Sequence, residues 1–180
     1  PETSEQMTQA MSQVAVFNIP EDAKQNFFNL VVGELEKQVL RKPKDTRYEL
    51  FFGSFLARDG NFDQGLIHLE KALALSPKKQ MIYFEIGIAL INKGEAEKAL
   101  IVLKQAFDLE PDYTDARIMY AVSAIYAHKQ DLTDELLRPI GQDTLVADSR
   151  ILAAYINNKQ YAKLVNIWKA RIEKNPTDGQ

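Results

Sequence analysis

The chain has 180 residues, 46% of them hydrophobic and 26% charged, which suits one folded domain and is too apolar for a disordered chain. A net charge of −3, from 22 basic and 25 acidic side chains, leaves no overall basic footprint for nucleic acid. With no cysteine there can be no disulfide framework, thiolate nucleophile or Cys-ligated metal, and no apolar run approaches the roughly 18 residues that cross a bilayer. The chain begins at Pro1 without a signal-peptide pattern and reads as an excised fragment.

In chain order, Thr3–Phe17 predicts a weak amphipathic helix with Met7, Met11, Val14 and Phe17 on one side. Glu21–Arg41 predicts one long helix, started by Pro20 and Asp22 and stopped at Pro43. Pro43, Pro77 and Pro111 then follow at intervals of 34 residues. Thr46–Lys79 laid over Gln80–Tyr113 without gaps gives nine identities, including Gly53/Gly87, Gly60/Gly94, Leu69/Leu103 and Pro77/Pro111. About two would arise by chance from ordinary composition. Each unit reads as two helices joined at Asp59-Gly60-Asn61 or Asn92-Lys93-Gly94, and proline closes it. Gly60 and Gly94 sit where a positive φ is expected, and Gly53 and Gly87 sit mid-helix, where close approach of a neighbour is expected. Thr114–Thr144 begins a third unit that falls three residues short, with its second helix near Asp131–Arg138 cut by Pro139-Ile140-Gly141. Leu145–Asp178 fits a fourth, with Tyr155, Tyr161, Trp168 and Pro176 in register.

This pattern resembles the tetratricopeptide repeat family. Its best residues are Tyr83, Ile86-Gly87, Leu90, Ala99, Leu103, Ala106 and Pro111, then Phe52-Gly53, Leu56, Leu69, Ala72 and Pro77. The first unit departs from the pattern with Glu49 at repeat position 4 and Gly65 at position 20. The resemblance implies an all-α, right-handed solenoid of helical hairpins in one domain: N-terminal helices and a degenerate repeat over 1–45, repeats over 46–79 and 80–113, a shortened repeat over 114–144 and a degenerate one over 145–178. A second resemblance rests on Phe17-Asn-Ile-Pro20, Lys24-Gln-Asn-Phe-Phe28, Thr46-Arg-Tyr48, Gly53-Ser-Phe-Leu56 and Ser76-Pro-Lys-Lys-Gln80. These phrases are similar to the soluble tail of some bacterial O-antigen ligase/polymerase-like membrane proteins. It implies a place in a bacterial envelope glycan-assembly protein, as a membrane-anchored soluble domain on an unspecified side or, failing that, a cytoplasmic one.

The tetratricopeptide resemblance also implies a concave groove lined by the first helix of each pair. Its binding residues here are Arg47, Leu50, Phe51, Ser54, Met81, Phe84, Glu85, Ile88, Asn92, Met119, Val122 and Tyr126, with Val146 among those of the fourth unit. The groove is apolar, and Tyr83–Ile91 is hydrophobic almost all round. Its expected occupant is an apolar protein or peptide segment, or the chain's own Thr3–Phe17, with the competing reading that some of these side chains belong to the inter-repeat core; the alternatives are a homodimer or structural scaffold, and an accessory domain of a glycan ligase or polymerase. The family's carboxylate clamp for acidic tails is missing, because its positions hold Leu50, Ser54, Glu85, Asp115 and Met119. His68 and His128 have no partner at metal-ligand spacing and read as structural, and there is no nucleophile elbow, P-loop or dinucleotide fingerprint. The expectation is a non-catalytic module without cofactor or metal. Lys42-Pro-Lys44 and Lys78-Lys79 are too short for a nucleic-acid platform. Trp168 is expected in the core of the last repeat.

Overall fold

The computed structural model describes residues 20–174. The expected helix Thr3–Phe17 and the expected stop at Pro176 lie outside them. The described residues form helices and no strand: α1 (Glu21–Arg41), α2 (Thr46–Arg58), α3 (Phe62–Leu75), α4 (Gln80–Lys93), α5 (Ala96–Leu109), α6 (Thr114–Tyr126), α7 (Gln130–Leu137), α8 (Gln142–Ala147), α9 (Ser149–Asn157) and α10 (Tyr161–Lys174). They fall into two compact units, Pro1–Ala89 and Leu90–Gln180, divided within α4.

In the first unit α1 packs on α2, and α2 on α3. Val31 and Leu35 of α1 meet Phe52, Phe55 and Leu56 of α2 in one buried cluster, and Phe28 stacks on Phe55 at 5.2 Å. The α2–α3 hairpin is very close because two helices present glycine to each other. A Cβ on Gly53 would lie 2.7 Å from the Gly65 carbonyl oxygen, and one on Gly65 would lie 2.8 Å from that of Gly53. The unusual glycine at repeat position 20 therefore has a packing reason. The Thr46 and Ser76 hydroxyls share a hydrogen bond of 2.8 Å, joining the start of α2 to the end of α3.

In the second unit α6 packs against α5, α7 and α9, and α10 packs against α8 and α9. Tyr120 of α6 lies on Phe107 of α5 at 5.7 Å, with the Arg117 guanidinium 5.0 Å from the same Phe107 ring. The short α7 ends before Pro139, which supplies no backbone donor to prolong it. One sequence expectation needs correction here. Leu145 and Val146 do not open the first helix of the fourth repeat; they lie on the separate six-residue α8. The chain breaks at Asp148, whose carboxylate accepts from the Arg150 and Ile151 N–H groups and caps α9. Val146 is consequently buried on α8 and does not line the face of α9.

One turn recurs four times among the described residues, at intervals of about 34 residues. Gly60, Gly94, His128 and Lys159 have φ of 89°, 87°, 56° and 56°. The next residue donates its N–H five residues back each time: Asn61 to Leu56, Glu95 to Leu90, Lys129 to Ala124 and Gln160 to Tyr155. The four left-handed residues themselves donate three residues back, to Ala57, Ile91, Ile125 and Ile156. These are Schellman closures, which satisfy the last carbonyls of the helix and reverse the chain into the next one.

Candidate interaction surface

In the first unit, Arg47, Phe51, Ser54 and Arg58 recur along one side of α2 at intervals of four, three and four residues, and Met81, Glu85 and Ile88 recur along α4 in the same rhythm. The Arg58 guanidinium donates to Glu85 Oε1 at 3.3 Å and ties the two faces together across 27 residues of sequence. Met81 is 50% and Ile88 39% exposed, and Phe51 and Glu85 are half-buried. Arg47, also exposed, forks onto Asp45 at 2.7 and 3.0 Å. The Arg47 hydrogen bonds and charge, helped by Lys42, outweigh the cost of burial and hold the Asp45 carboxyl down at about 2.

In the second unit, Asn92 is exposed and Tyr126 is half-buried, its hydroxyl accepting from Asn157 Nδ2 at 2.8 Å. Arg150 joins Asp148 at 2.6 Å and Asp115 at 2.7 Å. Hydrogen bonding to Asp148 is the main reason the guanidinium is held still more firmly protonated. Burial raises the Asp148 carboxyl, but its bonds to Arg150 and the α9 backbone outweigh that and leave it below its usual range.

Five of the twelve residues expected in the groove are interior: Leu50, Ser54, Phe84, Met119 and Val122 are each less than a tenth exposed. The expectation was too wide because α2, α4 and α6 are each buried on more than one side, so that side chains one step round the helix, and even Ser54 in line with Phe51, lie inward. In the first unit, Phe51, Arg47, Met81, Glu85 and Ile88 keep part of their surface exposed.

Sequence reasoning missed a buried polar pair. Glu49, 4% exposed, and His68 share a hydrogen bond of 2.6 Å between Oε2 and Nδ1, and the imidazole also lies 4.3 Å from the Phe52 ring. His68 is part-buried and structural, but it has a partner 19 residues away. The available signal was Glu49 itself, a carboxylate where the repeat wants an aromatic, since a buried carboxylate requires a hydrogen-bonding partner.

A cavity of about 420 Å³ in the second unit is lined by residues that include Asp134, Arg138, Gln142, Tyr155, Lys163 and Asn166. Burial pushes the Tyr155 phenol up to about 12. Gln142 Oε1 is buried there without a hydrogen-bond partner. Among the described residues, no group of three or more His, Asp or Glu could hold a metal ion, and no helix is long and apolar enough to cross a membrane. Trp168 corrects another expectation: it is 43% exposed on α10, not in the core.

Residues 82–113 match the tetratricopeptide repeat family model. No curated protein matches the chain by sequence. Among solved structures, MamA is 18% identical, with 91% of this chain and 99% of that one covered and a TM-score of 0.64. A thermophilic TPR protein of Thermus thermophilus is 15% identical, covering 97% of this chain and 93% of that one at a TM-score of 0.60. A mutant Thermobaculum terrenum O-GlcNAc transferase is 18% identical over 78% of this chain at a TM-score of 0.53, and the chain spans 27% of that protein's length. The fold is that of the tetratricopeptide solenoid proteins, and residues 82–113 carry the repeat's own sequence pattern.

Proposed function

We propose that this chain is a protein–protein interaction module whose first unit binds an apolar helix or extended segment on the joined faces of α2 and α4. The observation that carries the reading is the exposure of Met81 and Ile88 on one side of α4, in helical register with Glu85, which is bridged to Arg58 of α2. Apolar side chains left in water forfeit about 25 cal/mol for every Å² that a partner could cover. The bridge gives an orienting polar contact at the edge of that patch. Arg47, in the same unit, is offered as an outlying contact. The phrases similar to an O-antigen ligase or polymerase tail support a further part of the proposal, that the module serves a bacterial envelope glycan-assembly protein. The test is selection of peptides from a random library on the whole chain, followed by measurement on a Met81→Asp/Ile88→Asp variant. Selected peptides should carry apolar stretches and lose at least about tenfold in affinity on the variant. Equal binding to both proteins would remove the assignment.

A further inference from the structure

α10, the last helix of the described residues, displays a seam whose counterparts on α3 and α5 are covered. Tyr161, Val165, Trp168 and Ile172 follow each other along α10 at intervals of four, three and four residues and are 56%, 49%, 43% and 49% exposed. The same repeat positions on α3 hold Phe62, Leu66, Leu69 and Leu73, and on α5 they hold Ala96, Leu100, Leu103 and Phe107. None of those eight is exposed, and Leu69 and Leu103 are wholly buried. On α5 the cover is the following helix, α6, which lays Tyr120 on Phe107.

The spacing of the α10 seam is that of a heptad, alternating d and a, and it runs roughly 16 Å along the helix. A stripe this narrow matches one partner helix; an interfacial membrane helix presents a broader apolar face. The charges beside it select the partner further. α10 carries Lys163, Lys169, Arg171 and Lys174 against Glu173 alone. Lys163 is paired with Asp134 and Arg171 with Asp143 in the same unit, while Lys169 is exposed. In heptad register Lys169 takes an e position and Arg171 a g position, so a second copy of α10 packed antiparallel would oppose basic to basic.

We propose that the exposed seam of α10 is a docking site for an amphipathic helix of another protein, with apolar residues at its own a and d positions and acidic residues beside them. The seam shares no residue with the α2–α4 face, so the Met81→Asp/Ile88→Asp variant keeps its residues unchanged.

Trp168 is the single tryptophan of the chain and reports directly on the seam. The probe is a helical peptide of about three heptads, Leu at a and d and Glu at e and g, compared with the same peptide bearing Lys at e and g. Titration of the Glu peptide into the whole chain should give a saturable blue shift of Trp168 emission, with the Lys peptide at least about tenfold weaker. Val165→Glu should abolish the shift while circular dichroism stays unchanged. Lys169→Glu, at an exposed position, should invert the preference between the two peptides, and it carries the test alone should Val165→Glu unfold. Equal affinity for both peptides would overturn the proposal. So would a blue shift produced by phosphatidylglycerol vesicles but not by the Glu peptide, which would make the seam a lipid contact. A shift that grows with protein concentration in the absence of peptide would make it a self-contact and overturn the proposal as well.

Discussion

At the scale of single residues, the sharpest constraint is the left-handed turn residue. Glycine adopts it freely at 60 and 94, but His128 and Lys159 hold the same conformation with a Cβ that crowds the backbone. His128→Gly should raise stability by up to about 1 kcal/mol, and Gly60→Ala should lower it by about as much, both measured by urea unfolding. This assigns His128 a backbone role, which its imidazole chemistry gave no hint of. Glu49 and His68 form the other decisive contact. Glu49→Ala would leave the imidazole without its partner in a part-buried site and should cost about 1–3 kcal/mol, whereas Glu49→Gln keeps an acceptor there and should cost less. An equal loss for the two variants in thermal unfolding would show that the hydrogen bond is not what Glu49 contributes.

At the scale of elements, glycine position decides the sign of a substitution. Gly53 lies in α2 with Gly65 and Leu69 against it, and an added methyl would come within 2.8 Å of the Leu69 backbone nitrogen. Gly53→Ala should therefore destabilise by about 1–3 kcal/mol in spite of the better helix propensity of alanine. Gly33 lies in α1 with nothing within 4 Å of an added Cβ, so Gly33→Ala should stabilise by up to about 1 kcal/mol in the same melting experiment. The α8–α9 break makes a pH-dependent contribution. The folded state lowers the Asp148 carboxyl from its ordinary 3.8, so its stabilising effect is present above that value and is lost as pH falls through the lower folded one. Asp148→Asn should melt earlier than the parent at neutral pH, and the two melting temperatures should converge as the pH drops below 3.8. A constant difference down to the acid limit would locate the effect in shape, not charge.

At the scale of the whole molecule, each unit has its own buried centre, around Leu35, Phe52 and Leu69 in the first and Leu103, Ile118 and Ile151 in the second. Repeat proteins gain most of their stability from neighbouring helices, so damage is felt most nearby. Leu69→Ala, which empties a wholly buried site, should cost about 2–5 kcal/mol. Its effect on amide hydrogen exchange should be largest in α2 and α3, the helices that pack against it, and smallest in α9 and α10. Uniform loss of protection across the chain would mean that the molecule opens only as one cooperative body.

What the sequence determined by itself was everything that depends on spacing along the chain. Prolines every 34 residues, glycine at each of the first two turns and leucine at fixed helical intervals specify hairpins locally, because helix termination and turn handedness are settled within a few residues. The helical rhythm that puts Met81, Glu85 and Ile88 on one side of α4 was legible for the same reason. Tertiary structure decided what depends on neighbours distant in sequence. Periodicity names the apolar sides of a helix but cannot rank them when there are two. Leu50, Phe84 and Met119 therefore went inward while Met81 and Ile88 stayed out. The Glu49–His68 pair needed α2 and α3 side by side, and the α8–α9 break needed Asp148 to outcompete helix continuation with its own cap. Trp168 carries the core signature of its repeat and is exposed all the same, because burial of that position requires a covering helix that its own repeat does not supply.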